Sequence, residues 1–178
     1  MKDKNTIKER YDELGASLYD LRYTEEQKAK YELILAELNQ PRLLLDNGCG
    51  TGLLFPLLDY IVGLDLSSKL LEKAKERTGL GHYLVQGDSE YLPLRDKVFD
   101  AEVSVTVIQN LSNPDKFLEE SARVVKKGST VIISSLKRVY SREEITRLII
   151  NDELSIKKVF TSEKVNDWIT VSTRKNIK

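Results

Sequence analysis

Residues 43–52 read Leu-Leu-Leu-Asp-Asn-Gly-Cys-Gly-Thr-Gly, a buried-strand pattern that runs directly into a glycine-rich loop. Two further apolar runs follow, at residues 60–64 and 83–85, and each is closely followed by an aspartate, Asp65 and Asp88 respectively. In open α/β sheets the ligand binds beyond the carboxyl ends of the strands. Acids at the ends of three successive strands therefore predict a site for a small polar ligand at one edge of a parallel sheet.

The glycine spacing distinguishes between two kinds of nucleotide ligand. Gly48, Gly50 and Gly52 form G-x-G-x-G, whereas the dinucleotide fingerprint is G-x-G-x-x-G, with pyrophosphate at the N-terminus of the next helix. Leu53 stands where the third glycine of that fingerprint would be, which favours a nucleoside without phosphates over a nicotinamide or flavin dinucleotide. Asp65 has the spacing of an acid that binds ribose hydroxyls. An ordinary tight turn explains the glycines alone, but not the acids after the next two strands.

Several segments, in this order, resemble the motifs of class I S-adenosylmethionine-dependent methyltransferases, in particular their small type 11 (ubiquinone-biosynthesis-like) branch. The segments are 44–52, 61–67, 85–88 and 99–111 for the family, and 91–100, 113–118 and 122–128 for the branch. The resemblance covers about residues 31–136. Two residues depart from the family pattern: Asn47 replaces a small or aliphatic residue, and Lys127 replaces proline.

The resemblance implies an α/β, doubly wound, three-layer Rossmann-like methyltransferase fold. Its mostly parallel seven-stranded sheet has the order 3-2-1-4-5-7-6, with the last strand antiparallel. The sequence pattern predicts helices at 4–19, 24–38 (capped by Thr24), 69–77 (capped by Ser67), 115–126 and from Ser141 to 151. It predicts the later strands at 100–109, 130–136, 155–160 and 168–173. We expect one domain over residues 1–178, with residues 1–23 as an N-terminal lid.

The resemblance also implies the ligand, S-adenosyl-L-methionine, with S-adenosyl-L-homocysteine as product. It places Asp46 near the methionine amino group. Three residues at the end of the predicted fourth strand, Thr106, Val107 and Gln109, are the candidates to face the methionine end and the acceptor. The full set of predicted cofactor-binding residues is Asp46, Gly48, Gly50, Gly52, Asp65, Leu66, Asp88, Ser89, Thr106 and Gln109. Some of these residues have structural alternatives, since Asp88 could form an Asx turn and the Gln109 amide could bond backbone.

The acceptor is not identified by the sequence. The family methylates small molecules as well as tRNA and ribosomal components on one scaffold, so a small-molecule acceptor and RNA both stay open. Some related RNA methyltransferases need a small zinc-binding activator protein at the edge of the sheet by the third strand, which makes such a subunit a candidate partner. No catalytic residue emerges, because His82, the only histidine, precedes the third strand on the side away from the site. The alternative function is a non-catalytic S-adenosylmethionine-binding regulatory module.

Composition bears on other protein classes. The 28 basic and 28 acidic side chains give a formal net charge of zero, whereas proteins that bind nucleic acid on their own usually have a basic surface. We therefore expect no autonomous DNA binding. Cys49 is the only cysteine, so no disulfide and no cysteine-based metal site can form within one chain, and we predict no metal. Without a long apolar run or a secretion signal, we expect a cytoplasmic protein that does not enter the membrane.

Overall fold

The computed structural model describes residue 6 and residues 16–176, with side chains described at residue 6 and residues 25–176. The strands are β1 (Leu44–Asn47), β2 (Ile61–Asp65), β3 (His82–Gln86), β4 (Phe99–Val105), β5 (Val125–Leu136), β6 (Leu154–Phe160) and β7 (Asp167–Arg174). The helices are α1 (Ala16–Leu35), α2 (Ser68–Ala74), α3 (Pro114–Val124) and α4 (Arg142–Ile149). Short 3₁₀ turns lie at Phe55–Leu57, Lys75–Arg77 and Ile108–Asn110.

The strands form one sheet in the order β3-β2-β1-β4-β5-β7-β6. Strands β1 to β5 pair in parallel, and β7 runs antiparallel to both β5 and β6. This is the strand order implied by the resemblance, including the antiparallel last strand, so the predicted fold class is confirmed. The strand order reverses between β1 and β4, where α/β sheets of this kind open a crevice at the carboxyl ends of the strands.

Apolar side chains cover both faces of the sheet. Ile34 of α1 and Leu71 of α2 pack in one cluster with Leu44 of β1. Phe117 of α3 packs in the other cluster with Leu45, the next residue of the same strand. Successive strand residues point to opposite faces, so a strand buried on both faces is apolar at consecutive positions. Among the described residues, no helix combines the length and the apolar character needed to cross a lipid bilayer.

The N-terminal helices differ from the sequence-based prediction. The sequence predicts a helix that begins at Thr24, but α1 is continuous from Ala16 to Leu35 and passes through Thr24. A capping side chain stabilises a helix only where first-turn N–H groups lack partners, and in a continuous helix these groups bond the preceding carbonyls. The predicted helix at 4–19 and the predicted lid at 1–23 lie mostly outside the described residues.

A buried polar cluster lies where β1, β4 and α3 meet. The Oε1 atom of Glu102, a fully buried residue, accepts hydrogen bonds from Asn47 Nδ2 at 2.9 Å and from Ser121 Oγ at 2.8 Å. Ser104 Oγ donates to Asn47 O at 2.8 Å. Asn47, which departs from the family pattern, thus supplies a donor to an acid inside the protein. Burial raises the pKa of Glu102 to about 7, although these two hydrogen bonds act in the opposite direction.

Replacing Glu102 with Gln should change how stability depends on pH. The carboxyl pKa rises from an ordinary value of 4.5 to about 7 on folding, so between these values the folded state binds more protons and loses stability as pH rises. Gln keeps an acceptor for Asn47 and Ser121 without the charge. We expect the Glu102→Gln variant to be about 1–3 kcal/mol more stable than wild type near pH 8, with a smaller difference near pH 5.

Denaturant unfolding at both pH values measures this difference. Glu119→Gln, at an exposed acid on α3, is the matched control and should leave the pH dependence unchanged. A stability difference between the Glu102→Gln variant and wild type that is the same at both pH values would contradict the titration of Glu102.

Candidate functional site

Parallel pairing places the ends of four strands at one edge of the sheet. Asp46 of β1 pairs with Gly63 of β2 and with Val103 of β4. Asp65, the last residue of β2, pairs with Gln86, the last residue of β3. The loops that follow these strands therefore leave the sheet at the same edge, and they carry the residues that the sequence predicts for the ligand.

The glycine-rich loop turns sharply after β1. Gly48, Gly50 and Gly52 have φ values of 87°, 54° and 74°, which glycine adopts far more readily than other residues. A Cβ atom on Gly48 would overlap Val107 Cγ2 of the loop after β4. Gly48 N also donates to Leu64 O at 2.7 Å, which fixes the loop to β2. The backbone of this loop is thus tightly packed against the loop after β4 and fixed to β2.

The carboxylate of Asp65 is held by two backbone amides. Its Oδ2 accepts from Gly50 N at 2.8 Å, and its Oδ1 accepts from Ser67 N at 2.9 Å. Ser67 Oγ in turn caps α2 by accepting from Leu70 N at 3.2 Å, which confirms the predicted helix start. A carboxylate offers about four lone-pair sites, and these two bonds use one on each oxygen. Its orientation is therefore set before any ligand contacts it.

Asp46 lies beneath the glycine loop and is 1% exposed. Its Oδ2 has no hydrogen-bond partner among the described residues. Burial, followed by the negative charge of Asp65, raises the pKa of Asp46 to about 8. A buried acceptor without a donor is costly. A cationic donor such as an ammonium group would relieve both the missing hydrogen bond and the repulsion between the two acids.

Asp88 follows β3 and forms the Asx turn that the sequence leaves open as an alternative, because its Oδ1 accepts from Glu90 N at 2.9 Å. This turn orients the carboxylate, and a contact of Asp88 and the adjacent Ser89 with a ligand stays a prediction. Sequence reasoning missed Glu90. The Oε1 of this buried acid accepts from Ser112 N at 2.6 Å and from Asn113 N at 2.8 Å, and thereby joins the loops after β3 and β4.

The loop after β4 begins earlier than the sequence predicts. Strand β4 ends at Val105 rather than at Gln109, because φ of Thr106 is 63° and this left-handed conformation ends the extended strand. Gln109 is 4% exposed, and its Nε2 donates to Thr106 O. This is the backbone bond that the sequence leaves open as an alternative for this side chain. The predicted contacts of Thr106 and Gln109 with cofactor and acceptor stay predictions.

Sequence reasoning also missed a buried cation at this edge. Lys30 Nζ of α1 lies 2.8 Å from Asp167 Oδ1, 3.0 Å from Thr106 Oγ1 and 3.3 Å from Glu26 Oε1. The side chains of Lys30 and Asp167 are 3% and 0% exposed. One signal was available, because Lys30 precedes the buried Ile34 by one helical turn and thus shares its inward face.

The only cysteine and the only histidine of the sequence, Cys49 and His82, have structural rather than catalytic environments. Burial raises the pKa of the Cys49 thiol well above its usual value, which keeps the sulfur protonated and weakly nucleophilic. His82 Nδ1 accepts from Gly79 N at 2.9 Å, and its Nε2 lies 2.8 Å from Leu58 O. His82 is the first residue of β3 and so lies at the amino end of that strand, away from the carboxyl ends that carry the candidate site. Neither side chain offers a base at the candidate site.

Comparison with known proteins agrees with this geometry. A family model described as "Methyltransferase domain" matches residues 45–133. The chain is 38% identical over 136 residues to demethylmenaquinone methyltransferase of Thermotoga maritima, covering 73% of this chain and 58% of that protein. It is 36% identical over 120 residues to the 18S rRNA (guanine-N(7))-methyltransferase RID2 of Arabidopsis thaliana, covering 65% of this chain and 40% of that protein. The chain thus spans about half the length of these curated relatives.

Solved structures share the fold. A chain in the complex between the Haloferax volcanii Trm112 methyltransferase activator and a protein assigned as a methyltransferase superposes with a TM-score of 0.79 at 18% identity. The superposition covers 96% of this chain and 98% of that chain. At this identity the likeness concerns the fold alone. With the family model and the sequence identity to named methyltransferases, it follows that this chain belongs to the S-adenosylmethionine-dependent methyltransferase family.

Proposed function

We propose that this protein is an enzyme that transfers a methyl group from S-adenosylmethionine to an acceptor. The observation that carries the proposal is the pair of acids at the ends of β1 and β2. Asp46 is buried and has an oxygen without a partner among the described residues, and Asp65 is oriented by two backbone amides. S-adenosylmethionine carries an ammonium group, the kind of donor that Asp46 Oδ2 lacks, and vicinal ribose hydroxyls, which can donate to an oriented carboxylate such as that of Asp65.

When bound, S-adenosylmethionine supplies a methyl group that its sulfonium already activates for displacement. The chain itself has to hold the donor, orient it and exclude water. In our proposal Asp46 binds the ammonium group, Asp65 binds the ribose hydroxyls, and Asp88 with Ser89 faces the adenine. The glycine loop allows close approach of the ligand to the backbone, and Thr106 borders the acceptor side.

The acceptor remains open between a small molecule and RNA. The names of the two relatives above point to demethylmenaquinone and to a guanine of 18S rRNA as their own substrates. The experiment that tests catalysis offers radiolabelled methyl donor together with tRNA, ribosomal subunits or a small-molecule extract. Methyl transfer to any of these fractions supports the proposal. If the protein binds S-adenosylmethionine but methylates none of them, the alternative is favoured, a non-catalytic regulatory module.

The proposed location is the cytoplasm, since the single buried Cys49 suits a reducing compartment.

Removing the carboxylate of Asp65 should weaken the binding of S-adenosylhomocysteine. We expect Asp65→Ala to reduce the affinity by about 1–3 kcal/mol, the range for lost hydrogen bonds to a charged group. Titration calorimetry measures the affinity, and thermal unfolding verifies the fold. Asp59→Ala, at an exposed aspartate at the other end of β2, is the matched control. Unchanged affinity in a folded Asp65→Ala variant, or stabilisation of wild type by NAD alone, would refute the assignment.

Binding of S-adenosylhomocysteine should release protons near neutral pH. The pKa of Asp46 is about 8 in the free protein, so at about pH 7 most molecules carry a proton that must leave before the carboxylate can pair with an ammonium group. Affinity should therefore rise as pH increases towards about 8. Calorimetry in buffers of different ionisation enthalpy counts the protons. In the Asp46→Asn variant the release should vanish; release that is undiminished in this variant argues against Asp46 as its source.

We further propose that a small activator subunit of the Trm112 kind binds the outer edge of β3. Strand β3 is the terminal strand of the sheet. Three large side chains on β3 or near its start face solvent: Tyr60, Leu80 and Tyr83 are 59%, 102% and 63% exposed. A sheet edge with exposed apolar side chains is a template for strand addition by a partner. The Haloferax volcanii complex with Trm112 contains a chain of this fold, which supports this choice of partner.

Charges on this edge should prevent the complex. Co-expressed with Haloferax volcanii Trm112, wild type should co-elute with it in size-exclusion chromatography. The Leu80→Asp/Tyr83→Asp variant should elute alone, because two carboxylates would be buried without partners in the interface. Val139→Asp, at an apolar side chain that is 44% exposed near the end of β5, serves as the control and should still co-elute. Separate elution of wild type and Trm112 counts against this partner.

A further inference from the structure

A buried ion pair connects α1 to the loop after β4. Lys30 Nζ lies 2.8 Å from Asp167 Oδ1 and donates to Thr106 Oγ1 at 3.0 Å. Thr106 Oγ1 donates in turn to Asp167 Oδ2 at 3.0 Å. Ser134 Oγ of β5 donates to the same oxygen at 2.8 Å. Side chains from α1, β5 and β7 thus converge on Thr106, the first residue after β4.

Thr106 has an unfavourable backbone conformation. Its φ is 63°, and of the described non-glycine residues only Gln40 and Lys97 also have positive φ. Those two are exposed and unbranched at Cβ, whereas a β-branched residue in this region is a genuine outlier. Such a conformation persists only where the surroundings enforce it. At Thr106 they do so, because its N also donates to Ser134 Oγ at 2.9 Å while Lys30 and Asp167 hold its hydroxyl.

The conformation of Thr106 determines where the next residue points. Val107 Cγ2 occupies the space that a Cβ atom on Gly48 would take. The loop after β4 therefore packs directly on the glycine loop that follows β1. A change of φ at Thr106 would redirect Val107 and remove this contact. The glycine loop would then no longer pack against the Val107 side chain.

We propose that Lys30 and Asp167 are positioning residues for the cofactor site. Their ion pair holds Thr106 in the left-handed conformation, and Thr106 in turn fixes Val107 against Gly48. Docking of α1 is therefore part of forming the glycine loop, although Lys30 itself does not contact the ligand. This inference rests on the proposed function, because it assumes that the glycine loop binds the adenosyl ligand.

A double-mutant cycle distinguishes this role from a merely structural one. Glycine adopts a φ of about +60° without strain, so the Thr106→Gly variant does not need the ion pair to hold its loop. We expect Lys30→Met to lower the affinity for S-adenosylhomocysteine by about tenfold or more with Thr106 present, and by less than about threefold in the Thr106→Gly background. Lys28→Met, at an exposed residue of the same helix, is the matched control and should leave the affinity unchanged.

The Lys30→Met variant leaves the charge of Asp167 buried without its cation, which destabilises folded proteins. The Lys30→Met/Asp167→Leu variant removes both charges and should show the same loss and the same rescue by Thr106→Gly. Calorimetry measures affinity, and thermal unfolding verifies that each variant folds. An equal loss in both backgrounds, or no loss in a folded variant with Thr106 present, overturns the positioning role. Failure of wild type to bind S-adenosylhomocysteine would instead overturn the proposed function, and this inference with it.

Discussion

The parallel pairing of β1 with both β2 and β4 is the constraint on which the rest of the site depends. It places Asp46 between two neighbouring strands, where the residue is buried and close enough to Asp65 for the charge of one acid to raise the pKa of the other. The backbone ladder sets which residues lie side by side, and the apolar packing of Leu44 and Leu45 on opposite faces holds this register. The loops then add donors and glycines around an arrangement that the sheet has already fixed.

The sequence was sufficient for the order and type of most elements, because the signals are local. Apolar runs that end in acids mark β1, β2 and the end of β3, and the caps at Ser67 and Ser141 mark the starts of α2 and α4. A cap signal fails where the helix continues on its N-terminal side, because the amides that the cap would bind already bond to preceding carbonyls. Thr24 is such a case, since α1 continues through it and the helical hydrogen bonds replace those of a cap.

The features that the sequence did not predict depend on residues far apart in the chain. The end of β4 depends on Thr106, whose conformation is stabilised by Lys30 and Asp167, and no local pattern links these three residues. In the sequence, Glu102 is a charged residue within a mostly apolar strand, with no indication of a partner. The structure supplies its two donors, Asn47 and Ser121. Most buried polar groups are hydrogen-bonded, so the role of Glu102 becomes interpretable once the fold has brought its donors to it.

The charge at the site helps to distinguish a dinucleotide from a nucleoside ligand without phosphates. The glycine spacing alone makes this distinction through one residue, Leu53. At this edge Lys30 compensates Asp167, but no cation of the described residues is paired with Asp46. The pyrophosphate of a dinucleotide, placed at the glycine loop, would add negative charge beside the buried Asp46 and the half-buried Asp65. A ligand with an ammonium group and a sulfonium centre brings the opposite charge. Leu53 and the two acids therefore disfavour a dinucleotide for independent reasons, one steric and one electrostatic, although the chain as a whole is neutral.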